Sequence, residues 1–293
     1  MEIFHINAAL GAAIYAIAAV FSKQALSKGA GILRLSFVVN LVFLPLFSVL
    51  LFRHELPVDW ANIYKPLLAG VFFFAGQVFT FAAIRVGDVS LQTPIMGTKA
   101  VFAVVIVAVC GIELVSISMF VAALIAMLAV ALLGLSGDGA ERVGASISLA
   151  VLSSLFFAGS DVMVGAFADS FGVPAFLFFT FITNTLLSFC LIPFFREPLR
   201  AIPRAAWPWM CISSLLMGAQ ALLLNYTLGS YQHVAEINIL YSTRGLWSVI
   251  FGVIAIRIFQ RSAENSQSRV YMMRFTGALM MCVAIGLLFY PKI

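Results

Sequence analysis

Apolar runs of about 20 residues follow one another along this chain, separated by short polar breaks. A run of that length is what an α-helix needs to cross a hydrocarbon core about 30 Å thick. In a water-soluble domain it would leave the helix no polar face. The composition agrees: 63% of residues are hydrophobic and 10% charged, with a mean hydropathy of +1.09. A soluble domain is about half apolar and a quarter charged. These values exclude a soluble globular enzyme and a disordered chain, and leave an all-α integral membrane protein. The 293 residues hold ten spans, using roughly 200 residues, with short loops and no soluble domain. The two-residue alternation of a membrane β-barrel is absent.

The expected spans are 5–26, 32–52, 66–86, 90–111, 116–136, 146–168, 174–195, 208–229, 234–257 and 271–290. Turn-forming breaks separate them: Lys28-Gly29-Ala30-Gly31, Gly87-Asp88, Ser136-Gly137-Asp138-Gly139, Pro198 to Pro208, and Gln260 to Arg269. The N-terminus, Met1 to Val20, lacks a basic leader and exceeds a signal-peptide core, so it reads as the first span. Cys110, Cys190, Cys211 and Cys282 lie inside apolar runs without metal or disulfide spacing, and are expected to be small buried hydrophobes.

The two halves of the chain echo each other. An offset of 145 aligns Val89 with Val234, Thr98 with Thr243, Lys99 with Arg244, and Val104 with Val249. Ser36-Phe37-Val38-Val39-Asn40 and Thr180-Phe181-Ile182-Thr183-Asn184 correspond at an offset of 144. Two ordered matches at nearly one offset predict a duplicated unit of five helices, 1–136 and 137–293. An odd number of helices per unit inverts the second copy in the membrane, a transporter plan whose site lies at the midplane between the halves.

Against that background three charges stand out. Nearly all charged residues fall in loops or at span ends, but Lys99, Asp161 and Arg244 do not. Lys99 lies nine residues into the fourth span and Arg244 ten into the ninth, about 13 and 15 Å deep. In inverted repeats those depths count from opposite faces, so both cations reach mid-membrane. A central charge costs roughly 2.5–3.5 kcal/mol on the insertion scale, and two like charges repel unless an anion lies between them. One way to repay the cost is a bound organic anion. Another is an internal salt bridge, for which Asp161 is the best partner, and the two coexist if substrate displaces the carboxylate. Asp161 is also a candidate for proton coupling.

Helical spacing nominates neighbours: Gln92, Met96 and Ala103 beside Lys99, and Tyr241, Ser248 and Ile237 beside Arg244. Tyr241 suits a hydrogen bond to substrate, or packing. Gln77 and Gln220, at mid-depth on the third and eighth spans, either line a cavity or bridge helices. Asn40 and Asn184 read as helix-packing hydrogen bonders, and Thr98 and Thr243 as bonding their own backbone. Trp247, Phe81 and Tyr15 are candidate cavity walls. Glu113 and Glu236 sit near span ends where solvation is easy; His5 and His233 are also terminal, and His54 is in a loop. No metal cluster, Gly-rich phosphate loop or serine with a nearby base is present in the sequence pattern, so neither a cofactor nor enzymatic activity is expected.

Several stretches carry a family resemblance. "FSKQALSKGAGILRLSF", with Lys23 and Arg34 in its basic positions, is similar to the first connection of the drug/metabolite transporter superfamily, EamA type. "AAIRVGDVSLQTPIMGTKAVFAVVIVAVCGIE", ending in Glu113, resembles that family's third-to-fourth helix passage, and "FVAALIAMLAVALLGL" its fifth helix. Pro94 lies earlier than the proline often found near Thr98-Lys99, and a lysine has entered. The placement of Lys99 and Arg244 also resembles the organic-phosphate branch, the plastid phosphate translocators. The resemblance implies a ten-helix carrier of small metabolites in a bacterial plasma membrane.

The expected function is therefore secondary transport of a small organic anion, carboxylate or phosphate, by alternating access. Lys99, Arg244, Tyr241, Gln77 and Gln220 would bind substrate, and Asp161 would serve as counter-ion or proton-coupling group. The partners are that anion and the lipid bilayer, with no nucleic acid. An exporter of amino acids or amphipathic compounds, with both cations paired internally, is one alternative; a membrane scaffold or enzyme is another. Twelve Lys and Arg, from Lys23 to Arg274, flank the odd-to-even connections, against Arg53, Lys65 and Lys292 on the other side. The positive-inside rule thus places both termini outside, whereas the family resemblance implies both inside.

Overall fold

A computed structural model describes residues 2–52, 58–86, 96–134, 143–259 and 268–288. Gln92, Pro94, Val89, Arg53, His54, Arg142, Arg261 and Lys292 lie outside the described residues, as do the Gly87-Asp88 and Ser136–Gly139 turns and most of the Gln260–Arg269 break. So do the side chains of Arg85, Arg257, Arg269 and Arg274.

The described chain is helical throughout, and no strand occurs among the described residues. The α-helices are α1 (Ile3–Ser27), α2 (Ile32–Leu51), α3 (Tyr64–Val86), α4 (Thr98–Val109), α5 (Ile117–Gly134), α6 (Val143–Phe171), α7 (Val173–Ser188), α8 (Trp207–Tyr231), α9 (Val234–Tyr241), α10 (Arg244–Phe259) and α11 (Ser268–Leu288). Six helical stretches are long and apolar enough to cross a membrane: Ile3–Ser27, Ile32–Leu51, Trp60–Ala83, Gly144–Phe171, Val173–Phe194 and Trp207–Tyr231. Such a set marks an integral membrane protein.

Local chemistry explains most of the boundaries. Gly172, at φ 92°, turns the chain between α6 and α7, and Pro174 opens α7 where its missing N–H is not needed. Pro193 withholds a donor near the end of the same run, and the chain tightens into a 3-10 segment, Phe189–Phe194. Gln232 closes α8 in the left-handed conformation, its N–H bonding Leu228 O at 3.1 Å.

The segment expected to be one uninterrupted span over 234–257 is not a single helix. It is divided at Ser242-Thr243 into α9 and α10. Ser242 Oγ donates to Asn238 O at 3.0 Å, and Thr243 Oγ1 to Leu240 O at 2.7 Å. The Thr243 N–H also bonds Leu240 O, three residues back. Hydroxyls competing for backbone acceptors loosen the regular ladder here. A similar tight turn precedes α4: Lys99 N bonds Met96 O and Ala100 N bonds Gly97 O, again three residues back.

The cysteines correct another expectation. All four are exposed, because an apolar run in a membrane helix faces lipid as readily as protein. The packed interior is built instead from alanines and aromatics: Ala8, Ala12, Ala100, Ala103, Ala158 and Ala168 beside Phe43, Phe47, Phe176 and Phe181. Small residues let helix backbones approach closely. α3 packs along α6, α1 along α8, α5 along α11, and α2 along α7.

Two glycines make a testable contrast. A methyl on Gly70 of α3 would strike the backbone carbonyl of Thr180 on α7, which cannot rotate away. One on Gly218 of α8 would meet Cδ1 of Leu46, the tip of a flexible side chain. Gly70→Ala is therefore expected to destabilise by about 1–3 kcal/mol. Gly218→Ala should be near neutral, its clash offset by up to about 1 kcal/mol of helix propensity. Thermal midpoints of the two purified variants check the order.

Candidate functional site

The turns before α4 and α10 set the site. Each is followed at once by a basic side chain: Lys99 is the second residue of α4 and Arg244 the first of α10. α9 packs on both α4 and α1, and α4 on α6. Groups from α1, α4, α6 and α9–α10 therefore converge.

Lys99 Nζ lies 2.6 Å from Asp161 Oδ2 of α6, with side-chain exposures of 9% and 2%. At that distance the contact is a charge-assisted ion pair between two groups closed off from water. Arg244 is placed differently. Its guanidinium carbon sits 5.1 Å from the ring centre of Tyr15 on α1 and 5.0 Å from that of Tyr241 on α9. Its Nη2 donates to Met96 O, on the turn before α4, at 3.4 Å. Among the described residues it has no carboxylate within ion-pair distance. Tyr241 is buried, meets Tyr15 edge-on at 6.2 Å, and has Lys99 Nζ 5.4 Å from its ring centre.

The structure thus gathers Lys99, Asp161, Arg244 and Tyr241, with Tyr15 as a wall. Gln77 is engaged elsewhere. Its amide exchanges two hydrogen bonds with Asn40, at 2.9 and 3.0 Å, and Asn184 Nδ2 adds a third to Asn40 Oδ1 at 3.1 Å. This amide cluster bridges α2, α3 and α7. Gln220 is buried on α8 and has no hydrogen bond to the basic cluster among the described residues. Trp247 stacks on Phe251 at 5.8 Å.

A second group of polar residues was not expected to be buried. Glu236 is only 7% exposed, although it lies in the first turn of α9. Its Oε2 is 3.6 Å from Nε2 of His5, which is also buried. Glu113 Oε2 accepts from the N–H of Ala235 at 3.1 Å, meeting a donor that the start of α9 would otherwise leave unpaired. Glu236 is at a helix end, as the sequence suggests, and Glu113 lies in the connection between α4 and α5, partly buried. The packing of α1 and α4 against α9 closes water off from Glu236. That packing leaves no mark on hydropathy. Among the described residues no three His, Cys, Asp or Glu side chains are placed to hold a metal ion.

No family model matches the chain, and no curated protein matches it. A solved structure described only as "Crystal structure of protein" superposes with a TM-score of 0.69. It is 16% identical, and the match covers 96% of this chain and 97% of that one. The likeness is one of fold, and it runs nearly end to end in both molecules.

Proposed function

We propose that this protein is a secondary transporter of a small organic anion, a carboxylate or phosphate, working by alternating access between two inverted five-helix repeats. The reading rests on one asymmetry above all. Lys99 is paired with Asp161, while Arg244 lies beside that pair with no carboxylate of its own within ion-pair distance among the described residues, held by the Tyr241 side chain, the Tyr15 ring and the Met96 carbonyl. A guanidinium in an apolar bundle has several N–H donors to satisfy, and a carboxylate or phosphate meets them two at a time. Two cations against one carboxylate leave the cluster one positive charge in excess, which one anionic group would balance.

The duplication is supported by packing as well as by sequence. Exchanging the halves turns the α3–α6 contact into α8–α1, the α4–α6 contact into α10–α1, and returns α2–α7 and α5–α11 to themselves. Asn40 and Asn184, equivalent by the 144 offset, bond each other directly, as equivalent residues do beside a two-fold axis. The bacterial plasma membrane and the drug/metabolite transporter superfamily remain part of the proposal on the strength of the sequence motifs.

The test is a ligand panel scored by thermal stabilisation of the purified protein. A ligand that binds only the folded state at 100 times its dissociation constant adds about 2.7 kcal/mol. Small carboxylates or phosphates are expected to raise the midpoint in proportion to the logarithm of their concentration, and basic analogues of matched size to leave it unchanged. Stabilisation by amphipathic cations or neutral amino acids alone would overturn the anion reading and favour the exporter.

A further inference from the structure

A second site lies away from the charged cluster. A cleft of about 850 Å³ opens where the start of α2, the second half of α3 and the 3-10 segment after α7 meet. Its walls are apolar, formed by Phe74, Val78 and Phe81 of α3 with Leu191 and Phe194. Its rim is not: Arg34, Arg196 and Glu197 stand there. Phe81, a candidate wall of the transport site by sequence, belongs to this cleft instead.

Arg34 forms the fixed part of the rim. It donates from Nε to Ala30 O, from Nη2 to Gly29 O, and from Nη1 to Glu197 Oε2 and Pro198 O. Four of its five donors are used, which locks the α1–α2 turn onto the chain after α7. Glu197 is thereby matched by Arg34, and Arg196, exposed beside it, leaves the rim with one excess positive charge. The outer surface of the elements that form the cleft is apolar: Val78 and Phe194 of its lining are exposed, as are Val71 of α3 and Leu186, Phe189 and Ile192 along α7 and the 3-10 segment. In a membrane-spanning bundle that surface faces hydrocarbon.

A water-borne ligand would suit the rim but not the walls, and a neutral hydrocarbon would suit the walls but not the rim. We infer that the cleft is a site for an anionic phospholipid, with one acyl chain entering sideways from the bilayer between α3 and the 3-10 segment and the phosphate held at Arg196 and the remaining Arg34 donor. A cleft of this size lies within the range of small-ligand sites, and basic pockets between spans at a membrane face suit anionic headgroups. This inference is independent of the substrate proposed for the Arg244 site.

The experiment uses the full-length protein purified in a neutral detergent. Native mass spectrometry and thermal midpoints are recorded with added phosphatidylglycerol, phosphatidylcholine of the same chains, and glycerol phosphate. Phosphatidylglycerol is expected to remain bound and raise the midpoint, phosphatidylcholine to do so at several-fold higher concentration, and glycerol phosphate neither to bind nor to compete. Arg196→Gln should raise the half-saturating phosphatidylglycerol concentration about fivefold, one basic residue's share. Val78→Trp, which fills the cleft from a partly exposed position, should abolish retention. Equal retention of both lipids, competition by glycerol phosphate, or unchanged binding in Val78→Trp would each overturn the site.

Discussion

Arg244→Gln is expected to abolish uptake of the transported anion while the protein still inserts and folds. A charge-assisted hydrogen bond contributes about 1.5–3 kcal/mol, and each 1.4 kcal/mol is tenfold in affinity. Loss of a two-pronged guanidinium contact should therefore weaken binding at least about 100-fold. The fold should tolerate the change, since what Arg244 gives up is one long bond to Met96 O, its side-chain bond with Tyr241 and two ring contacts, worth about 2–3 kcal/mol together. Arg244→Lys is the sharper control. It keeps the charge and loses the planar fork, so uptake should fall to an intermediate level if geometry as well as charge matters. Uptake by reconstituted vesicles is the measurement, with thermal midpoints alongside. Wild-type rates in Arg244→Gln would remove the anion site from consideration.

Much of this arrangement was legible in the sequence because charge is so scarce. With 10% of residues charged, Lys99, Asp161 and Arg244 could each be recognised as out of place by depth alone, and an ion pair with Asp161 was one of the readings that depth allowed. The long helices were equally legible, since membrane spans are read from run length and not from amphipathic period, which a lipid-facing helix lacks. The division of the 234–259 segment into two helices was not. Ser242 and Thr243 are tolerated inside helices, and only the tertiary setting decides whether their hydroxyls bond back to Asn238 and Leu240. Tyr15 was nominated only as one aromatic among many, because 28 phenylalanines conceal any particular ring. The burial of Glu236 against His5 and the rim at Arg34 and Glu197 join residues more than 160 positions apart, and no local pattern announces such a meeting.

Asp161→Asn should produce a large loss of stability. It leaves the Lys99 ammonium in place, 9% exposed, with its counter-charge gone. Breaking a buried pair from one side costs about 3–5 kcal/mol, which corresponds to a fall in thermal midpoint on the order of 10 °C. The double variant Lys99→Met, Asp161→Leu should recover most of that loss, because apolar replacement of a buried ion pair is often neutral or better. Stability and function then separate. If the pair were only a structural strut, the double variant would transport normally. If Lys99 is held by Asp161 until an anion competes for it, the double variant should be stable and inactive. The single Asp161→Asn variant should then gain more stabilisation from the anion than wild type does, since Lys99 and Arg244 would both be left to receive it. A wild-type midpoint in Asp161→Asn would mean the pair contributes nothing. Full transport by the double variant would reduce it to packing and leave Arg244 as the sole cation of the site.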